Sequence, residues 1–112
     1  MSEQTFSSWH RAPDAFSASS ALVQIKWTGG LIDYPTGKSA MIWYGVVSPC
    51  SPATISALLR RLEPCIPSPE LVWRWYSGEG QRDQLVALNA RFEARFGGPL
   101  LGASLESKAP QR

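Results

Sequence analysis

The sequence is poor in residues that bind metal ions. It contains two cysteines and one histidine, and His10, Cys50 and Cys65 are far from the short spacings that metal-binding motifs use. We therefore predict no metal site, and no motif indicates a cofactor.

Charge of one sign and long apolar runs are also scarce. Eleven Lys and Arg residues face nine Asp and Glu residues, for a net charge of +2, which is too small to indicate a polyanionic partner. The longest apolar stretch, residues 40–47, is far short of the about 20 residues that a membrane-spanning helix needs. Polar residues interrupt the first twenty positions, which lack the apolar core of a signal peptide. These absences predict a cytoplasmic protein with no membrane partner.

The chain has enough apolar material for one domain. It has 112 residues, of which 44% are hydrophobic, and a chain of this length buries roughly two-thirds of its unfolded surface. Residues 1–20 are polar and rich in serine, and we expect a flexible or docking N-terminal arm. Residues 103–112 are expected to form a disordered tail, which leaves residues 21–102 as a single α+β domain.

Alternation of apolar and polar residues predicts the strands. Residues 21–28 place Val23, Ile25 and Trp27 on one face, which is typical of a half-buried strand. Residues 31–34 indicate a second, short strand before a Pro-Gly turn. Residues 39–47 are apolar on both faces and predict a central strand. Residues 71–76 alternate again and predict another strand.

Two helices complete the pattern. Ser51-Pro52 is a typical helix start, and apolar residues recur at helical spacing up to Leu62, so we expect a helix over residues 52–63. A second helix is expected over residues 81–96, with Gly97 as its stop. The fold class is α+β: a three- to five-stranded mixed sheet with two helices on one face, in the order β(β)βαβα(β). The last bracketed strand is a short edge strand at residues 100–106. The strands around the first helix form a parallel crossover.

The two cysteines lie at opposite ends of the first helix. A helix of about twelve residues is ~18 Å long, whereas a disulfide needs Cα atoms within ~7 Å. Cys50 and Cys65 are therefore expected to be free thiols, as in a reducing compartment. Cys50 precedes a helix N-terminus, where the dipole lowers a thiol pKa, so it is a candidate nucleophile. Its only histidine base would be His10, and the alternative is a packed structural residue.

The turns after the last two predicted strands form a second candidate site. Both turns lead into helix N-termini at the same edge of the sheet, where α/β proteins bind ligands and helix dipoles attract anions. Glu79 lies at the mouth and would oppose an anion. The anion-site candidates are Ser48, Ser51, Ser77, Gly78 and Gly80.

A third candidate is the sheet face opposite the helices. It would present apolar and aromatic side chains around an arginine, a composition typical of protein interfaces. Single-stranded nucleic acid could also stack there, although the basic residues do not cluster. Alternatively, the N-terminal arm folds over this face and buries it. The candidate binding residues are Lys26, Tyr44, Arg74 and Tyr76.

The pattern favours a small, non-catalytic protein-binding module. It would dock its open sheet face or an edge onto a protein of unknown identity or onto a second copy of itself, as an accessory or inhibitory subunit or as a homodimer. The alternatives are a small-anion site or thiol enzyme at the two turns, and a single-stranded nucleic-acid-binding face.

Overall fold

A computed structural model of the chain describes residues 6–64 and 70–102. Cys65 and the expected tail, residues 103–112, lie outside these ranges. The helices and strands, in chain order, are β1 (Ala21–Trp27), β2 (Ile32–Tyr34), β3 (Gly37–Ser39), β4 (Met41–Val47), α1 (Pro52–Leu62), β5 (Leu71–Tyr76) and α2 (Gln81–Phe96).

The α+β class is confirmed, with two helices and two sheets. β2 and β3 form a two-stranded antiparallel hairpin, and the other three strands form the main sheet. The expected last strand, residues 100–106, falls mostly outside the described residues. Leu100–Gly102 are described and are not in a strand.

β1, and not the predicted β4, is the central strand of the main sheet. The strand order is β4-β1-β5, and both neighbours are antiparallel to β1. β4 and β5 are therefore parallel to each other, as the predicted crossover requires, but β1 lies between them. All five residues from Ala21 to Ile25 are buried, because β1 is covered on both faces despite its alternating sequence.

Local signals at its start explain why α1 begins where the sequence predicts. The Ser51 hydroxyl accepts a hydrogen bond from the Thr54 backbone N–H at 3.3 Å, and the Ser51 backbone N–H donates to Thr54 Oγ1 at 2.9 Å. This capping box satisfies N–H groups that have no partner inside the helix. The buried stripe of α1 joins the core that includes Val23, Ile25 and Trp73; its residues are Ile55, Leu58, Leu59 and Leu62.

The second helix lies on the other face of the sheet, which corrects the prediction of two helices on one face. α2 is flanked by Gly80 at its start and Gly97 at its end. The φ angles of these two residues, 73° and 80°, lie in the left-handed region that favours glycine. The Phe92 ring makes an edge contact with the Tyr44 ring, at 6.1 Å between centroids. Tyr44 pairs with Gln24 of β1 and so shares the face opposite Val23 and Ile25.

The same register separates the tryptophans of β5 from Phe92. Trp73 and Trp75 pair with Ile25 and Val23 and lie on the α1 side, whereas two helices on one face would have placed them with Phe92 of α2. The reason is that each sheet face carries apolar residues, so each face is covered by a separate element.

Neither helix in the described ranges has the length and apolarity to cross a membrane.

Trp73 is the largest fully buried side chain in the described part of the chain. We expect Trp73→Ala to lower the free energy of unfolding by ~3–5 kcal/mol, because it removes a large core side chain and leaves a cavity. Val86→Ala, at a position that is 68% exposed, is the matched control and should change it by less than ~0.5 kcal/mol. Denaturant unfolding measures both. Equal effects would contradict this account of the core.

Candidate functional site

The sheet register brings the predicted binding residues onto one face. Gln24 lies between Tyr44 on one neighbouring strand and Arg74 on the other. Lys26 and Tyr76 lie on the same face by strand alternation. We call this surface the polar face and define it by Gln24, Lys26, Tyr44, Arg74 and Tyr76.

The N-terminal arm, residues 6–20, runs along the outer edge of β5. The His10 backbone N–H donates to the Trp73 carbonyl at 2.8 Å, and the Trp73 N–H donates to the His10 carbonyl at 2.8 Å. The Ser7 N–H donates to the Trp75 carbonyl at 2.9 Å. The arm therefore pairs with β5 and closes that edge of the sheet.

Two aromatic residues of the arm lie over the polar face. The Trp9 ring lies 4.4 Å from Lys26 Nζ and 4.4 Å from the Arg74 guanidinium carbon. The Phe6 ring lies 4.7 Å from the same carbon and 6.0 Å from the Tyr76 ring. Cation–π contacts of this kind contribute roughly 0.5–2 kcal/mol each. Together with Phe92 on Tyr44, they cover the face that the sequence left open, as the alternative interpretation proposed.

A buried polar pair lies under this cover. Gln24 is only 3% exposed, and Arg74 Nε donates to its side-chain oxygen at 2.7 Å. Burial lowers the pKa of Arg74, and nearby Tyr44 partly opposes that shift. Burial also raises the pKa of Tyr44. Gln24 and Arg74 satisfy one another within the chain, so they have a structural role here, and the cations of Lys26 and Arg74 both contact the Trp9 ring.

The second candidate site lies at an open surface cavity. The carboxyl ends of β4 and β5 lie at the same end of the sheet, beside the start of α2. A cavity of about 500 Å³ opens there, and three of the five anion-site candidates, Ser48, Gly78 and Gly80, line it. Ser51 and Ser77 are not in the lining. Ser51 is instead the N-cap of α1.

Three polar side chains of this cavity, Ser20, Ser48 and Gln81, already have partners. Gln81 accepts a hydrogen bond from the Ser20 hydroxyl at 3.1 Å and donates to the Gly78 carbonyl at 3.0 Å. The Ser48 hydroxyl donates to the Ser19 carbonyl at 3.1 Å. Arg82 and Asp83 also line the cavity, so a carboxylate that would repel an anion lies beside a guanidinium that would attract it. The arrangement holds the turns together more than it prepares an anion site.

Cys50 has the environment of a packed residue. It is a free thiol with 1% exposure, and its backbone N–H and carbonyl both bond to Ala18 at 2.9 Å. Burial raises its pKa, so the reactive thiolate is disfavoured. The ring of His10 is stacked on Trp75 instead. No group of three or more metal-ligating side chains occurs in the described ranges.

Sequence reasoning missed a groove beside β4. A cavity of about 490 Å³ lies between this strand and α1. Its lining is mostly apolar: Trp43, Val46, Val47, Thr54, Ala57, Leu58 and Arg61. The available signal was the uncharged run at residues 40–47, which we interpreted as a central strand.

The outer edge of β4 also offers main-chain groups. Neighbouring residues of a strand direct these groups to opposite sides. The main-chain N–H and C=O groups of Trp73 point toward the arm, so those of Arg74 point toward β1. The main-chain groups of Gln24, the partner of Arg74, therefore point toward β5. Tyr44, the partner of Gln24 on β4, therefore faces away from the sheet, as does Val46. No strand among residues 6–64 and 70–102 pairs with this edge.

Because Arg74 supports buried Gln24, its removal should destabilise the fold. We expect Arg74→Met to lower the free energy of unfolding by about 1–3 kcal/mol, since a buried acceptor loses its donor. Arg82→Met, on the exposed side of α2, is the control and should stay within ~0.5 kcal/mol. Chemical denaturation compares the two. An Arg74 variant as stable as the control would restore the open-face interpretation.

The thiol of Cys50 should be inert in the folded protein. In a Cys65→Ser variant, Cys50 is the only remaining thiol, and its burial and raised pKa should make its reaction with a disulfide reagent slow near neutral pH. Full reaction is expected after denaturation. Rapid reaction of the folded variant would support the thiol-enzyme alternative.

Comparison with known proteins assigns no family to this geometry. No protein-family model matches the chain, and neither a curated protein nor a solved structure matches it. The function must therefore be argued from the residues themselves.

Proposed function

We propose that this protein is a non-catalytic binding module that accepts an additional β-strand from another polypeptide along the outer edge of β4. The observation that carries the proposal is the outward-facing main chain of Tyr44 and Val46 beside the groove under α1. Such a module would act as an accessory or inhibitory subunit or as a homodimer.

The contrast between the two sheet edges supports this proposal. The edge of β5 is paired with the arm, whereas the edge of β4 has no paired strand in the described part of the chain. Unpaired edges usually carry charged residues or proline, which prevent pairing with other chains. Met41–Val47 contains neither. An unprotected edge of this kind is suited to strand addition.

The groove would supply side-chain contacts to the added strand. Trp43 folds over its own strand, since a Cβ atom on Gly45 would lie 2.3 Å from the indole ring. Glycine at position 45 therefore allows the indole to lie flat beside Val47 and Leu58. Alternate residues of an added strand would point toward this apolar wall, while main-chain hydrogen bonds to Tyr44 and Val46 would provide affinity.

The other sites favour a non-catalytic, intracellular role. The pKa of the Cys50 thiol is raised by burial, and Gln81 in the cavity beside α2 is engaged in hydrogen bonds within the chain. A free buried cysteine is compatible with a reducing compartment, so we place the module in the cytoplasm. Its partner is a protein segment with alternating apolar residues.

Val46→Pro should abolish strand addition, because it removes an N–H group that faces away from the sheet. The test is selection of random displayed peptides on the full chain, immobilised sparsely so that copies cannot meet. Peptides with apolar residues at alternate positions should be enriched on the unmodified chain and on Val86→Lys, a surface control, but not on Val46→Pro. Equal enrichment on all three proteins, or none on any, would contradict the proposal.

A further inference from the structure

We propose that the strand added at β4 is the β4 strand of a second copy of this chain. The two strands would pair antiparallel across a two-fold axis and join two main sheets into one. This inference rests on the proposed function, since it names the polypeptide that the edge accepts.

The edge of β4 is suited to a partner that covers it permanently. An apolar, uncharged edge with a groove beside it promotes uncontrolled association when it is left open. A transient partner would leave the edge bare most of the time. A second copy is present wherever the protein is, and two-fold dimers are the commonest closed assemblies. The composition of Met41–Val47 is therefore better suited to a constant partner than to an occasional one.

The β4 strand is also complementary to a second copy of itself. It carries no charged residue, so two copies meet without like-charge repulsion. Pairing centred on Gly45 places Tyr44 opposite Val46 of the second copy, and these are the residues whose main-chain groups face outward. It also places Trp43 opposite Val47 of the second copy, on the α1 side of the sheet. The groove between β4 and α1 of each copy would then contact apolar side chains of the other copy.

The backbone at the axis permits this approach. Pairing centred on Gly45 makes the two glycines a non-hydrogen-bonded pair, with Cα atoms about 4.5 Å apart. Neither glycine has a side chain to obstruct the contact, and each is covered by its own Trp43 ring. The two indoles would therefore meet at the axis.

The free length of the edge matches this register. Gly102 lies against the Ile42 carbonyl, since a Cβ atom at Gly102 would be 2.9 Å from that oxygen. Among the described residues, the part of the edge that remains unpaired therefore starts after Ile42 and ends with β4 at Val47. Antiparallel pairing about Gly45 uses this stretch and stops short of Ile42.

Sedimentation equilibrium of the full chain over a wide range of concentrations tests the inference. The unmodified protein should be a dimer. Val47→Lys, which places a charge opposite Trp43 of the second copy, and Val46→Pro, which removes an outward N–H, should each weaken dimerisation by about tenfold or more. Val86→Lys repeats the valine-to-lysine change at a position that is 68% exposed and should remain dimeric. Tryptophan fluorescence verifies that each variant is folded.

The outcomes separate this inference from the proposed function. A protein that is monomeric at every concentration, yet selects peptides in a Val46-dependent way, overturns the second copy and leaves strand addition intact. A dimer that persists in both β4 variants uses another surface and also overturns the inference. A dimer lost in both variants and kept in Val86→Lys supports it.

Discussion

The hydrogen bond between Arg74 and Gln24 explains how β1 can be covered on both faces. Gln24 lies at the middle of the central strand and is buried, so its amide must find a partner inside the protein. Arg74 provides one, but this places a guanidinium in a partly buried position, where burial lowers its pKa. The rings of Phe6 and Trp9 compensate by contacting the cation. The buried amide, its cationic donor and the aromatic rings of the arm thus form one connected set of contacts that joins the arm to the sheet.

Features that depend on neighbours in the sequence were predictable. Ser51-Pro52 and Gly97 mark helix ends through local backbone hydrogen bonds and φ angles, which a short stretch of sequence determines. Alternation along β1 and β5 correctly placed Lys26, Arg74 and Tyr76 on one face, because side chains alternate in any strand. The α+β class followed from these local features. Little of this depends on how distant parts of the chain meet.

Features that depend on distant contacts were not predictable. Alternation defines two faces but does not say what covers each, so the polar face was expected to be open, although α2 and the arm lie on it. The arm is held by backbone hydrogen bonds between His10 and Trp73. These residues are far apart in the sequence, and no local sequence pattern predicts that they pair. The uncharged β4 strand was interpreted as central because both of its faces are apolar. An edge strand that pairs with another polypeptide has the same composition as a central strand, and sequence alone cannot distinguish these two kinds of strand.

Polar and charged residues are distributed over the strands in the opposite way to the usual one. The central strand carries Gln24 and Lys26, whereas the edge strand β4 carries no charge. In an isolated sheet the opposite distribution is stable, because water solvates charges at an edge and penalises them at the centre. The polar groups of the central strand have partners within the chain, since Arg74 bonds to Gln24 and the Trp9 ring contacts Lys26. Nothing in the described part of the chain explains the uncharged edge in the same way, and this asymmetry is why we place the binding function at β4 rather than on the polar face.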